Sequence, residues 1–276
     1  MTTILHVSDL HFGKPAVPEQ IEAIEDLIRD SDGRFDVVAI SGDVSQRSRA
    51  GEFQRARAFI RQAQRVSRTI VVPGNHDVKW WRAPLGVGDR ASLYAGYRTY
   101  IAHELEPVLR VPGATIVGLN SAHGVTRHTL TWNVRDIGII GDLRRSQIER
   151  AREAFAAAPP EDARVVVVHH NPVKGELSQR HGLVNTRRVL GAFAELGVDV
   201  VLCGHDHQEA IHYVEHTRRG TVISTAGTVS NRSRGGRPSS LNTIDITHDA
   251  ILVTTAVWSR EEQRFVPGRP HRFARG

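Results

Sequence analysis

Oxygen and nitrogen donors recur in this sequence directly after short apolar runs. Asp9 and His11 follow the run Thr2 to Ser8, and Asp43 follows Asp36 to Ser41. Asn75 and His76 follow Thr69 to Val72, His169 follows Arg164 to Val168, and His205 and His207 follow Val198 to Leu202. A lone histidine after a strand is usually bland, and a lone aspartate there is usually a turn former or helix cap. Repetition changes the reading. If these strands run in parallel, their carboxyl ends share one rim, where open α/β folds place their ligands. Asp9-x-His11 and His205-x-His207 suit extended segments, in which alternate residues point the same way, and Gly204 leaves the backbone room to approach. Nothing in the packing of a core needs Asn75-His76-Asp77.

Asp9, His11, Asp43, Asn75, His169, His205 and His207 are more donors than one ion needs. They match two ions sharing a bridging carboxylate, roughly 3.5–4 Å apart, the arrangement that clamps a phosphate undergoing in-line attack. Imidazole, carboxylate and amide oxygen suit divalent or mixed-valence manganese, iron, zinc, cobalt or nickel. With Cys203 alone, there is no thiolate set for a structural zinc.

The elements that must position these donors follow from periodicity. Ile21, Ile24, Leu27 and Ile28 form one stripe of a helix over 19–30, and Phe53, Ala56, Phe59, Ile60 and Ala63 form another over 50–66. Strand, helix, strand, helix, strand at this rhythm predicts a parallel sheet with right-handed crossovers. Further helices are expected near 91–105, 144–157 and 184–196, and further strands at 115–119, 210–215, 221–225, 241–247 and 250–257. The last four, without helices between them, predict a mixed or antiparallel sheet packed against the first. Residues 78–110 read as a surface insertion, 124–142 as a surface segment near the site, and 260–276 as a peripheral, arginine-rich tail.

At 276 residues and 40% hydrophobic, the chain can bury a sizeable core. No apolar run is long enough for a transmembrane helix, and Met1-Thr2-Thr3 enters a strand pattern without a secretory leader. Together with the single cysteine this predicts a cytoplasmic protein. The net charge of +6 comes from arginine, the only lysines being Lys14, Lys79 and Lys174, with local pairs at Arg144-Arg145, Arg187-Arg188 and Arg218-Arg219. Such a field favours a phosphate-bearing partner of any size, nucleic acid included.

In order, Asp9-x-His11, Gly42-Asp43, Gly74-Asn75-His76-Asp77, His169-His170 and Gly204-His205-Asp206-His207 resemble the motifs of the calcineurin-like metallophosphoesterase family. The resemblance implies a single α/β domain over 1–276, a four-layer α/β/β/α sandwich of two mixed sheets flanked by helices. It implies that Asp9, His11 and His207 hold one metal, that Asn75, His169 and His205 hold the other, and that Asp43 bridges them. His169 rather than His170 is the implied ligand. His76 is the implied catalytic residue, beside the leaving oxygen while a metal-bound hydroxide attacks phosphorus. Asp77 and Asp206 would orient their neighbours or form structural salt bridges.

Substrate is less sharply written. Protein phosphatases of this superfamily carry a second Asp and an Arg-Gly soon after Gly-Asp, where this chain reads Val44-Ser45-Gln46-Arg47-Ser48, and lipid A precursor hydrolases carry Arg in place of His76. His169-His170-Asn171-Pro172 is most similar to the class III cyclic-nucleotide and glycerophosphodiester phosphodiesterases, with Val173 in place of a usual second proline. The expected function is hydrolysis of a small phosphodiester or nucleotide. The alternatives are a metal-dependent nuclease and, in a different class, a non-catalytic protein-binding scaffold. Trp80, Trp81, Tyr97 and Tyr100 could wall a nucleobase or simply pack on the core. His123, Arg127 and His128 read as solvated loop residues that could reach a phosphate.

Overall fold

Apolar runs become strands and period-3.6 stripes become helices in the computed structural model, which describes residues 1–87, 89, 91–130, 136–175, 182–216 and 220–275. Arg218 and Arg219 lie outside the described residues. The first half runs β1 Thr2–Val7, α1 Pro18–Arg29, β2 Val37–Ile40, α2 Ala50–Val66, β3 Arg68–Val71, α3 Ala95–Tyr100, β4 Val108–Val111 and β5 Ala114–Leu119. The second half runs α4 Arg145–Ala156, β6 Ala163–His170, α5 Thr186–Glu195, β7 Val200–Gly204, β8 Ala210–Glu215, β9 Gly220–Thr225, β10 Ser240–Ile246, β11 Ala250–Ser259, β12 Arg264–Pro267 and β13 His271–Ala274.

The strands form two mixed sheets. One has the order β12-β11-β10-β1-β2-β3, with β13 also on β11, and the other β4-β5-β6-β7-β9-β8. β1, β2 and β3 are parallel, with Ile4 opposite Val37 and Val38 opposite Thr69. In the second sheet β5, β6, β7 and β9 are parallel. Strands covered on both faces need near-continuous apolar sequence, and β1, β2, β5 and β7 are buried throughout.

Three apolar clusters define the layers. Ile4, Val37 and Ile70 of the first sheet meet Ile116, Val167 and Leu202 of the second. Leu5, Val38 and Ile40 face Ile24, Phe53 and Phe59 of α1 and α2. Val166, Val168 and Val201 face Ile148, Phe155, Val189 and Phe193 of α4 and α5. The order is helix, sheet, sheet, helix, as the resemblance implied.

Four details differ from the sequence reading. The late strands β10 and β11 do not make a separate sheet: β10 pairs antiparallel with β1, so the chain's end completes its beginning. Long-range pairing of this kind leaves no local signature. The tail read as peripheral carries β12 and β13, both paired along β11 at the sheet edge. The segment 78–110 ends in β4, which pairs antiparallel with β5. The helix expected over 91–105 begins as a 3₁₀ turn over Ala91–Tyr94, continues as the α-helix Ala95–Tyr100 and stops short of 105, because the Tyr97 carbonyl takes the N–H groups of both Ile101 and Ala102 and closes it.

Candidate metal centre

The donors converge from two sheets rather than along one rim. Asp9, His11, Asp43, Asn75 and His76 follow β1, β2 and β3, while His169, His205 and His207 lie at the ends of β6 and β7 across the sandwich. The loops after β1 and β2 are laced together: Asp9 N–H donates to the Gly42 carbonyl at 3.1 Å and His11 N–H to the Asp43 carbonyl at 2.9 Å. Asp9, His11, Asp43, His205 and His207 all hold positive φ, between 45° and 74°. Left-handed backbone at non-glycine residues costs energy and collects at functional sites. Gly74 and Gly204 permit the close approach. A Cβ on Gly74 would lie 2.2 Å from Asp43 Oδ1, and one on Gly204 would lie 1.9 Å from Ser8 Oγ and 2.4 Å from Asp9 Oδ2.

Two clusters of donor atoms result. In the first, His207 Nε2 is 3.1 Å from Asp9 Oδ1 and 3.0 Å from His11 Nε2, and one ligand atom each from Asp9, His11, Asp43 and His207 fall within 4.8 Å of one another. In the second, Asn75 Oδ1 is 3.1 Å from both His169 Nε2 and His205 Nδ1. Asp43 lies between them, its Oδ2 3.8 Å from His11 Nε2 and 3.4 Å from His169 Nε2. The set is almost wholly buried.

These residues fit cations. Asp9 Oδ1 and His11 Nδ1 are buried without a hydrogen-bond partner, a costly state for a carboxylate unless something positive faces it. His169 Nδ1 donates to the Ser41 carbonyl at 2.8 Å and His207 Nδ1 to the Arg232 carbonyl at 3.1 Å, so both rings aim an Nε2 lone pair into the site, the tautomer that ligation needs. Burial works against the charge on Asp43, but the imidazoles of His169, His76 and His11 outweigh it and hold the carboxyl well below the usual range. Burial likewise works against Asp9, and His207 and His11 hold it low. Burial disfavours a charged His169, yet Asp43 beside it raises the imidazole to about 9. Burial pushes His11 down to about 4 and, helped by His170 and His169, pushes His205 well below its ordinary value; neutral imidazoles are the ligating form.

The neighbours have distinct tasks. His170 lies against His205, ring centroids 4.6 Å apart. Both its nitrogens are engaged, Nε2 with the Ile139 carbonyl and Nδ1 with Ser121 Oγ, each at 2.7 Å. Asp77 accepts from Ser45 N–H and Oγ, Val44 N–H and Gly74 N–H, joining the two loops that carry Asp43 and Asn75. Asp206 accepts from Asn171 Nδ2 at 3.0 Å. His76 Nδ1 donates to the Gln46 carbonyl at 2.8 Å, and its Nε2 accepts from Arg232 Nη1 at 3.1 Å.

Trp80 and Trp81 line the cavity beside His76 together with Ile137 and Ile139 of the 124–142 segment. Tyr97 is instead core, and Tyr100 stacks on Phe53. His123 bonds Tyr94 and Gln147 in a separate cavity, while Arg127 and His128 are exposed. Cys203 is a free, buried thiol that burial raises to about 12. Sequence reasoning missed Arg232, which sits in the patternless stretch between β9 and β10, and no local motif announces it.

With this geometry in view, the match to known proteins is concordant. The calcineurin-like phosphoesterase family matches residues 2–209, and the chain belongs to that family, which points to a hydrolase of phosphoric esters. The 3',5'-cyclic adenosine monophosphate phosphodiesterase CpdA of Escherichia coli K12 is 25% identical over 194 residues, 69% of this chain. The matched region spans 61% of that relative's length. Among solved structures, the purple acid phosphatase PPD1 of yellow lupin superposes with a TM-score of 0.70 at 10% identity, covering 99% of this chain and 53% of the other. GAP50, the anchor in the inner membrane complex of Plasmodium, superposes with a TM-score of 0.60 at 12% identity, covering 100% and 89%. At such identities the likeness shows the fold alone. Among the described residues no helix is long and apolar enough to cross a membrane.

Proposed function

We propose that this protein is a dinuclear-metal-dependent phosphoesterase hydrolysing a small phosphodiester, with cyclic nucleotides among the candidates. Asp9, His11 and His207 would hold one ion, Asn75, His169 and His205 would hold the other, and Asp43 would be shared between them. The observation that carries this reading is the position of Asp43 Oδ2, within 3.8 Å of His11 Nε2 and 3.4 Å of His169 Nε2. When bound, such ions lower the pKa of water toward neutrality and neutralise phosphoryl oxygens. The chain's own groups do the rest. The Ser41 and Arg232 carbonyls fix the tautomers of His169 and His207. His170, with both nitrogens engaged, stays out of the ligand set and anchors the cavity wall at Ile139. The Gln46 carbonyl holds His76 Nδ1, which leaves Nε2 against Arg232 Nη1 in the lining of the cavity where a leaving oxygen would emerge.

A relative named for cyclic AMP hydrolysis supports the choice of a small diester. With Cys203 as its one cysteine the chain has no internal disulfide to keep oxidised, which suits a reducing, cytoplasmic setting. The experiment is a manganese-loaded substrate panel of bis-p-nitrophenyl phosphate, cyclic AMP, p-nitrophenyl phosphate and single-stranded DNA. Diester turnover abolished by chelation is expected. A preference for DNA by orders of magnitude would favour the nuclease reading, which the net charge of +6 recommends as the second choice. No turnover of any of them would contradict both.

A further inference from the structure

Beside His76 lies a cavity of about 550 Å³ whose lining, among the described residues, includes Arg232 and the exposed Arg47 and Arg49 and no acidic residue. Its size suits a small-molecule arm. Among the described residues, none of these arginines has a carboxylate at ion-pair distance. The acceptors that Arg232 Nη1 meets among the described residues are neutral, Gln46 Oε1 at 3.2 Å and His76 Nε2 at 3.1 Å. The carboxylate of Glu52 is engaged by the backbone N–H groups of Arg47 and Arg49, not by their guanidinium groups.

We propose that the cavity beside His76 is an anion subsite for the part of the substrate beyond the scissile phosphate, and that this part carries a second oxyanion, a phosphate or a carboxylate. The inference rests on the phosphoesterase reading and deepens it by naming the substrate class. A diester with a single negative charge places that charge at the metal cluster and leaves the cavity's guanidinium groups uncompensated. A second oxyanion would exchange the neutral partners of Arg232 for a charge-assisted, bidentate one, roughly twice as strong. Trp81, 53% exposed at the cavity's edge, offers an apolar face to the intervening atoms. The Arg232 carbonyl, which holds His207, belongs to the backbone, so its side chain can be changed while that bond stays.

The test is calorimetric binding of adenosine 5'-monophosphate and adenosine 3',5'-bisphosphate, ligands that differ by one phosphate, to the manganese-loaded protein. Wild type should bind the bisphosphate about 10- to 100-fold more tightly, with the ratio falling as salt rises. In Arg232→Gln, and separately in the double variant Arg47→Gln/Arg49→Gln, the ratio should shrink toward one with metal content unchanged. Equal binding of the two ligands by wild type, a ratio that survives all three substitutions, or loss of metal in Arg232→Gln would overturn the proposal. So would a ten-nucleotide single strand binding more than tenfold more tightly than the bisphosphate. Bis-p-nitrophenyl phosphate turnover is read in parallel: no turnover with the ratio intact would sink the phosphoesterase reading and leave the subsite standing.

Discussion

His76 and Asp43 sit one hydrogen bond apart, the His76 N–H donating to Asp43 Oδ1 at 2.8 Å, yet their side chains have different tasks. His76→Ala should keep both ions and lower turnover by about 10²- to 10⁴-fold, the usual worth of general acid–base help. Asp43→Ala should lose metal. Elemental analysis of the two variants decides, and a metal-free His76→Ala protein would contradict the assignment. His6, buried against Ser41 Oγ, reports on stability instead. Burial, only partly opposed by the Asp9 charge, lowers its imidazole to about 3. The unfolded chain takes up a proton near pH 6.5 that the folded chain refuses until about pH 3. Stability from this residue is therefore complete above pH 6.5 and is lost as pH falls through that window. In urea titrations between about pH 6.5 and 4.5, His6→Gln should flatten the pH slope by up to about 1.4 kcal/mol per unit. Identical slopes would show that His6 is not the group responsible.

At the scale of elements, strand ends set the donor positions and glycines set how close they come. Gly204→Ala would drive a Cβ into Ser8 and Asp9, so the β7 end must shift, at a cost of about 1–3 kcal/mol. The expected result is a folded protein by circular dichroism with impaired metal binding; unchanged affinity would show that the loop has slack. The strand ends were legible in the sequence because a buried parallel strand is a continuous apolar run, against which the polar residues at its end stand out. The seven expected donors all follow such runs, but the pattern alone does not separate His169 from His170; the family resemblance made that choice. Two things were not legible. The pairing of β10 with β1 joins residues more than 200 positions apart, with nothing local to declare it. Arg232 reaches His76 from a loop without period, so its place depends on the folded course of the chain.

For the molecule as a whole, the site is a clasp between two sheets. The first contributes Asp9, His11, Asp43 and Asn75, the second His169, His205 and His207. The apolar layer between the sheets fixes how far apart these groups stand, and ions would join them across it. Ligands that bind only the folded state stabilise it by mass action, by about 2.7 kcal/mol at a hundredfold excess over Kd. Manganese should therefore raise Tm by about 5–10 °C over the chelated protein. A Tm indifferent to metal would mean that the donors do not act across the sheets.

The ratio of metal to chain, measured by elemental analysis after manganese loading and desalting, decides whether one carboxylate serves two ions. A shared Asp43 requires two ions per chain in the wild type, about one in His207→Ala and none in Asp43→Ala. A single ion in the wild type, or two ions retained without Asp43, would contradict it.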